Sequence, residues 1–326
     1  MTKQECVNQL LANRSETPLS TVKSFAPANI ALCKYWGKRD TELNLPVTSS
    51  LSMALGTLGS HCNLSFCEDH DQVILNEAPL PSDSPFVTRL SDYLDLFRKQ
   101  PDQYYRVETI NTIPTAAGFA SSASGFASIA LALNTLHGWD LSDRECSILA
   151  RLGSGSACRS LWQGFVEWHV GHQDDGLDSF AEPIPTPWTD LQIGLLVLEA
   201  GKKPISSRDA MLRTVKTSQL YKAWPQKVDT DIQTLRTAIG KHDFDQLGAT
   251  AESNALTMHA TMMGAWPPVV YWLPETVVAM HKVWQCRREG LSVYLTMDAG
   301  PNVKLLFQSQ DEAQLLAEFP NLLIAR

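Results

Sequence analysis

The chain has 326 residues, with 27 Lys plus Arg against 35 Asp plus Glu, a formal charge of −8 and a hydrophobic fraction of 44%. That length suggests about two domains of ~150 residues, and 19% charged residues marks an ordinary folded chain, not a disordered one. The acidic balance argues against a general nucleic-acid binder, which carries a basic face, and no apolar run approaches the ~20 residues a membrane helix needs.

Residues 1–20 read as a polar helical or frayed extension without the sustained apolar centre of a secretory signal. The seven cysteines are odd in number and scattered, which fits a reducing cytosol better than a disulfide framework. Residues 22–76 read as a strand meander, with Ser49 to Thr57, His61 to Phe66 and Val73 to Leu75 broken by Gly, Asn and Asp. A short helix is predicted over Pro85 to Arg98 and a strand over Val107 to Ile113. Phe126, Ile129, Ala130 and Leu133 recur at helical spacing, predicting a helix from Ser122 to Leu136 closed by His137-Gly138. Ser142 and Glu145 have capping-box spacing and open a second helix that ends near Leu152. A third helix is predicted to begin within 154–159, followed by a strand over Phe165 to Val170.

The Pro-rich stretch 181–190 is predicted to break all regular structure and to mark a boundary, giving an extension 1–20 and domains 21–185 and 186–326. Beyond it come a buried-type strand, Gln192 to Glu199, and helical patterns near 207–221, 228–240 and 243–262. Two strands, Ser292 to Met297 and Val303 to Phe307, flank a tight connection at 298–302, and a last helix covers 311–319. Strands and helices in both halves make the fold class α+β.

Chemistry concentrates in four stretches. Pro114 to Gly125 is rich in small residues that let backbone approach a ligand, and a helix starting inside it offers free N–H groups to an anion. Gly118, Ala120, Ser121, Ser122 and Ser124 fall there, with the hydroxyls suited to phosphate oxygens or Mg²⁺. It is not a Walker A loop, and a tightly packed Ser/Ala helix cap explains the composition equally well. Gly153 to Arg159 repeats the device with Ser154, Ser156 and an arginine fork that suits carboxylate or phosphate; the plain alternative is a loop with one surface arginine. Asn29 to Asp40 supplies Lys34 and Lys38, which share parity if the strand continues through them. The following loop adds Asn44, and a solvated charged hairpin is the competing reading. Asp298 sits on an Ala-Gly-Pro turn after an apolar strand, where it is a base, a metal ligand or simply the turn's own cap. The histidines His61, His70, His169 and His172 read as structural or surface groups, and His259, in Met258-His-Ala-Thr261, is the one to watch. Together these residues describe phosphoryl transfer to or from a small anionic molecule.

The segments Ala26-Pro-Ala-Asn-Ile-Ala, Lys34-Tyr-Trp-Gly-Lys-Arg-Asp, Leu43-Asn-Leu-Pro, Pro114-Thr-Ala-Ala-Gly-Phe-Ala-Ser-Ser-Ala, Gly153-Ser-Gly-Ser-Ala-Cys-Arg-Ser, Met258-His-Ala-Thr and Met297-Asp-Ala-Gly-Pro-Asn together resemble the mevalonate diphosphate decarboxylases, a branch of the galactokinase, homoserine kinase, mevalonate kinase and phosphomevalonate kinase superfamily. The resemblance implies a ribosomal-protein-S5-like N-terminal domain and a ferredoxin-like C-terminal domain with the active site in the cleft between them. It implies ATP-dependent decarboxylation of 5-diphosphomevalonate to isopentenyl diphosphate, with ATP and Mg²⁺, in a cytoplasmic homodimer. Asp298, Arg159 and Lys34 would be catalytic. Asn29, Lys34, Lys38, Ser154, Ser156, Arg159 and Ser207 would bind the substrate. Gly118, Ala120, Ser121 and Ser122 would serve the nucleotide, with Ser122 on the metal. The rivals are a relative acting on mevalonate 5-phosphate or mevalonate, one that phosphorylates the 3-hydroxyl without decarboxylation, and a non-catalytic small-molecule or RNA-binding protein on the same fold.

Overall fold

In the computed structural model, residues 1–113, 121–201 and 204–325 are described, Ser121 by its backbone alone. The chain opens with α1 (Lys3–Leu11), then β1 (Thr21–Cys33), β2 (Lys38–Asp40), β3 (Leu45–Pro46), β4 (Ser50–Cys67), β5 (Gln72–Leu75), β6 (Ala78–Pro79), α2 (Pro85–Leu94) and β7 (Tyr104–Asn111). Next come α3 (Ser121–His137), α4 (Asp143–Gly153), β8 (Phe165–Trp168), β9 (Ala181–Pro183) and β10 (Leu191–Leu196). The remainder is α5 (Ser207–Thr217), α6 (Trp224–Lys241), α7 (Phe244–Met263), α8 (Pro274–Arg288), β11 (Val293–Met297), β12 (Val303–Gln308), α9 (Glu312–Glu318) and β13 (Leu323–Ala325).

β4 organises the first sheet. At 18 residues it is long enough to pair with β1 along one edge while its two halves take β7 and β8 along the other. The order β6-β5-β7-β4-β8-β9 follows, with only β5 and β7 parallel. The stretches predicted as two strands, Ser49 to Thr57 and His61 to Phe66, are therefore one strand. Within it Gly56 takes φ +59° where the pairing with β1 skips from Gly59 to Ala54, and the strand continues through the irregularity. α3 and α4 pack under this sheet through Phe126, Ile129, Leu133, Ile148 and Leu152. Ser142 caps α4 in a full capping box with Glu145, as its spacing predicts.

The second sheet runs β11-β12-β10-β13, all antiparallel. One apolar cluster joins the two halves. Ile30, Leu32, Leu51 and Phe165 of the first sheet pack with Trp224, Val228, Leu235, Leu247 and Met258 of α6 and α7. The architecture is thus the two-domain α+β fold expected from sequence.

Four local expectations change. Residues 181–183 are not structureless: β9 pairs with β8 as an edge strand, where a proline is tolerated. The helix predicted at 154–159 is a single 3₁₀ turn, Gly155–Arg159. Gly153, the last residue of α4, and Gly155 of the turn serve packing, since a Cβ at Gly153 would lie 2.2 Å from the Phe126 ring and one at Gly155 would lie 2.9 Å from the Tyr35 hydroxyl. α8 has no counterpart in the sequence reading. Its buried Thr276, Ala279, Met280, Val283 and Cys286 do recur at helical spacing, but exposed Val277 and Val278 blur the pattern. Finally, β1 stops at Cys33 and Gly37 turns the chain at φ +116°, so the shared strand parity of Lys34 and Lys38 does not exist.

Gly37 also fixes how the two halves meet. A Cβ there would lie 1.8 Å from the hydroxyl of Tyr221, which donates to the Trp36 carbonyl at 2.9 Å. Gly37→Ala is expected to destabilise the fold by about 1–3 kcal/mol from backbone strain alone, and the added methyl would also push the Tyr221 hydroxyl off the Trp36 carbonyl. Equilibrium denaturation checks this; an unchanged midpoint would show that the turn tolerates a side chain.

Candidate active site

The site is built around one turn. β11 and β12 pair Met297 with Val303, so residues 298–302 must reverse the chain tightly. Asn302 clamps that turn to the end of β10, accepting from Leu198 N and Glu199 N at 2.7 and 2.9 Å and donating to Glu199 O at 2.9 Å. Thr276 of α8 donates to Pro301 O at 2.8 Å. With the turn held by others, the Asp298 carboxylate is spared the capping role. Its ion-pair partners are Lys34 Nζ at 2.9 Å and Lys304 Nζ at 3.0 Å, one on each oxygen.

Both lysines are buried. Burial alone would raise the Asp298 pKa, but Lys304 and Lys34 outweigh it and hold the carboxyl well below the usual carboxylate range. Burial pushes Lys34 down to about 8, opposed by Asp298 and reinforced by Lys304 and Arg159. The backbone of Lys34 is anchored from the other half: Lys34 N donates to Asn254 Oδ1 at 2.9 Å. Asn254 Nδ2 in turn donates to Asp231 Oδ2 at 2.8 Å, and Lys227 pairs with Asp231 at 2.6 Å. His259, five residues along α7, places Nε2 3.0 Å from the Asp298 carbonyl oxygen. A carbonyl only accepts, so Nε2 carries the proton. Burial lowers the His259 pKa to about 3 and keeps the ring neutral.

Arg159 lies beside this group and is buried. Ser50 and Ser52 sit two residues apart on β4, so both point to one face. They accept from Arg159 Nη1 and Nε, the latter at 3.2 Å. Asn29 Oδ1 accepts from Nη2 at 3.4 Å, while Asn29 Nδ2 donates to Ser160 Oγ at 2.6 Å. The Trp168 ring lies 5.9 Å from the guanidinium carbon. Among the described residues Arg159 has no ion pair. Its charge is desolvated, hydrogen-bonded on three sides to neutral groups and left available to an anion. The surface reading of this arginine is thereby excluded.

Lys38 belongs to a second cationic region. Its Nζ donates to Asn44 Oδ1 at 2.5 Å, and Asn44 Nδ2 donates to Arg151 O and Leu152 O at the end of α4. Ser154, two residues on, is the C-terminal cap of α4. Ser207 is the first residue of α5, with Ser206 as its cap. Among the described residues the hydroxyls of Ser154, Ser156 and Ser207 have no hydrogen-bond partner, and all three are half-buried. Burial, then the charges of Arg208, Lys3 and Arg89, push Lys38 down to about 8.

The expected nucleotide loop falls largely outside the described residues: Gly118, Ala120 and the side chain of Ser121 lie there. Ser122 is exposed at the second position of α3. Ser124 does not face that way. Its hydroxyl is buried 2.7 Å from Ser60 Oγ, so it packs the helix on the sheet.

Sequence reasoning missed Lys304, Asn254, Ser50, Ser52 and Arg208. Lys304 had a signal, a lone lysine inside the apolar run Val303-Lys-Leu-Leu-Phe. Arg208 follows Ser207 directly. Asn254 had none, because a polar residue inside a helix is ordinary until the partner is known.

Two family models cover the chain. One, for the diphosphomevalonate decarboxylase-like N-terminal domain, matches residues 26–181, and the other, for the mevalonate 5-diphosphate decarboxylase C-terminal domain, matches 193–325. The diphosphomevalonate decarboxylase of Saccharomyces cerevisiae is 36% identical over 319 residues, covering 91% of this chain and 80% of its own. The solved mevalonate diphosphate decarboxylase of Staphylococcus aureus superposes with a TM-score of 0.88 at 36% identity, covering 94% and 95% of the two chains. A further solved chain, in complex with MVAPP, AMPPCP and magnesium, gives 0.87 at 41% identity and covers 94% and 96%.

The electrostatics make a prediction that needs no substrate. NMR of the Lys34 amine should show a titration midpoint near pH 8, and Asp298→Asn should lower it, because the carboxylate is what favours the charged form. A midpoint near the ordinary lysine value of ~10.4, or one that rises in the variant, would contradict the arrangement.

Proposed function

The chain belongs to the diphosphomevalonate decarboxylase family, and from that premise we propose that it converts (R)-5-diphosphomevalonate and ATP to isopentenyl diphosphate, ADP, phosphate and carbon dioxide. The observation that carries the reading is Arg159: a buried arginine with no ion pair among the described residues, within electrostatic reach of Asp298 and Lys34. Phosphorylating a hydroxyl needs a group to handle its proton. A planar cationic fork beside that group is what a departing carboxylate adds.

In this reading Asp298 accepts a hydrogen bond from the tertiary 3-hydroxyl. Held ionised by two lysines, it is a weak base and takes the proton late, as the new O–P bond forms. Lys34 and Lys304 stabilise the charge on the phosphoryl group in transit. The C3–O bond then breaks and phosphate leaves with its electron pair. Asp298 faces the cation developing at C3. The C1–C2 bond electrons form the C2–C3 double bond, and C1 leaves as carbon dioxide. Arg159 holds the carboxylate in line until that step, and Asn29, Ser50 and Ser52 hold Arg159. Lys38, Ser154, Ser156 and Ser207 bind the diphosphate.

ATP is the phosphoryl donor, with Gly118, Ala120, Ser121 and Ser122 toward its phosphates. The donor set fits Mg²⁺. Among the described residues no three His, Cys, Asp or Glu side chains could hold a metal, and Mg²⁺ commonly arrives on substrate phosphates with few protein ligands. Ser122 would add one hydroxyl, and the ion would neutralise phosphate charge. The reading includes a homodimer, checked by sedimentation equilibrium, and a cytosolic setting, which suits seven free cysteines of which six are buried.

Asp298→Asn should bind both ligands and lose about 10²–10⁴ in kcat. Arg159→Lys should be severely impaired too, because the fork becomes a point charge. Both are measured by phosphate and carbon dioxide release with mevalonate, its 5-phosphate and its 5-diphosphate. Near-normal turnover in either variant would remove that residue's role. Equal efficiency of the parent enzyme on the monophosphate would replace the substrate assigned here.

A further inference from the structure

The residues before 26 lie outside both family models, yet α1 is built into the fold. Cys6 and Val7 are buried in the same apolar cluster as Leu43, Leu45, Leu94 and Phe97. Gln4 Nε2 donates to Leu96 O at 3.0 Å, and Lys3 N donates to Glu42 Oε1 at 3.3 Å. Leu43 and Leu45 flank Asn44, the residue that holds the Lys38 ammonium. The helix therefore lies on the loop that shapes the Lys38 end of the site.

Lys3 is the first residue of α1. A cation at that position opposes the helix dipole, which favours Asp or Glu there, so local helix chemistry does not account for it. It is half-buried and shares its surroundings with three cations from three other elements: Lys38 of β2, Arg89 of α2 and Arg208 of α5. Among the described residues none of the four is in a salt bridge. Arg89 stacks 4.9 Å from the Phe126 ring and buries its Nε with no hydrogen-bond partner. The acids within reach are Asp40, Glu42 and Asp92. Asp40 accepts from Leu43 N at 2.7 Å and Glu42 from Lys3 N, so two of the three are engaged with backbone. Four cations from four elements against three carboxylates leave a positive excess that an anion would offset.

We propose that Lys3 binds the terminal phosphoryl group of the substrate diphosphate, so that the N-terminal helix is part of the substrate site. This rests on the reading of the substrate given above. The diphosphate, and not the nucleotide, is assigned by connectivity. Lys34 fixes the reacting end, and Lys38 follows four residues later, at most about 14 Å away along the chain. Lys38 is tied through Asn44 to the end of α4, next to the free hydroxyls of Ser154 and Ser156. One small molecule spans from Arg159 and Asp298 to that cluster.

The test uses Lys3→Gln, Lys3→Glu and Lys3→Arg in the full chain, with inorganic pyrophosphate and phosphate titrated calorimetrically. Loss of one charge-assisted hydrogen bond should weaken pyrophosphate about tenfold in Lys3→Gln and further in Lys3→Glu. Phosphate should change less, and Lys3→Arg should stay close to the parent. The KM for 5-diphosphomevalonate should rise in parallel while that for ATP holds. Pyrophosphate binding within twofold of the parent in both Lys3→Gln and Lys3→Glu would overturn the proposal, as would a rise confined to the KM for ATP. A parent enzyme that fails on 5-diphosphomevalonate would sink the substrate reading instead, and the pyrophosphate titration would still decide for or against Lys3.

Discussion

One carboxylate between two buried lysines is the constraint on which the rest of this structure depends. Desolvating a carboxylate together with an ammonium on each oxygen, at 2.9 and 3.0 Å, is unfavourable unless the geometry is fixed and the remaining hydrogen bonds are made. The fold meets that condition by dividing the parts. Asp298 and Lys304 come from the second sheet, Lys34 from the end of a strand in the first. The triad forms only when the two halves are packed, and the shared core of β1, α6 and α7 packs them.

α7 is the link between that packing and the chemistry. Asn254 holds the Lys34 backbone and His259 holds the Asp298 backbone, from one helix at a separation of five residues. Neither touches the reacting end of either ionic group. Each fixes the main chain that carries it. Arg159 is supported differently, by hydroxyls and an amide that satisfy its donors without neutralising it. The site therefore keeps an excess of positive charge, which suits the polyanionic substrate proposed for it, and among the described residues no carboxylate pairs with Arg159. The cluster of Lys3, Lys38, Arg89 and Arg208 repeats the principle beside the Asn44 loop.

Much of this was legible in the residues, and the limits have physical causes. The capping box of α4, the apolar spacing of α3 and the strands flanking Asp298 follow from local rules, and local rules made them readable. Lys34, Arg159 and Asp298 were candidates with plain alternatives beside them, a solvated hairpin, a surface arginine and a turn cap, and only the resemblance to the decarboxylases gave them roles. The roles of Lys304 and Asn254 were not readable, since each acts through a partner more than 200 residues away or across a turn whose closure is tertiary. The parity argument for Lys34 and Lys38 failed at one residue, Gly37, which turns the chain at positive φ and leaves the space of a side chain to Tyr221 of the other half. α8 was missed because two surface valines carry the same hydrophobic signal as core residues do.

The central claim is that phosphorylation and loss of the carboxylate occur together in this one pocket. The most direct measurement is the product stoichiometry of the parent enzyme given ATP and 5-diphosphomevalonate labelled at the carboxyl carbon. The account predicts one carbon dioxide, one phosphate and one ADP for each isopentenyl diphosphate formed. ADP formation with the labelled carbon retained in a 3-phosphorylated product would contradict it and leave a kinase in its place.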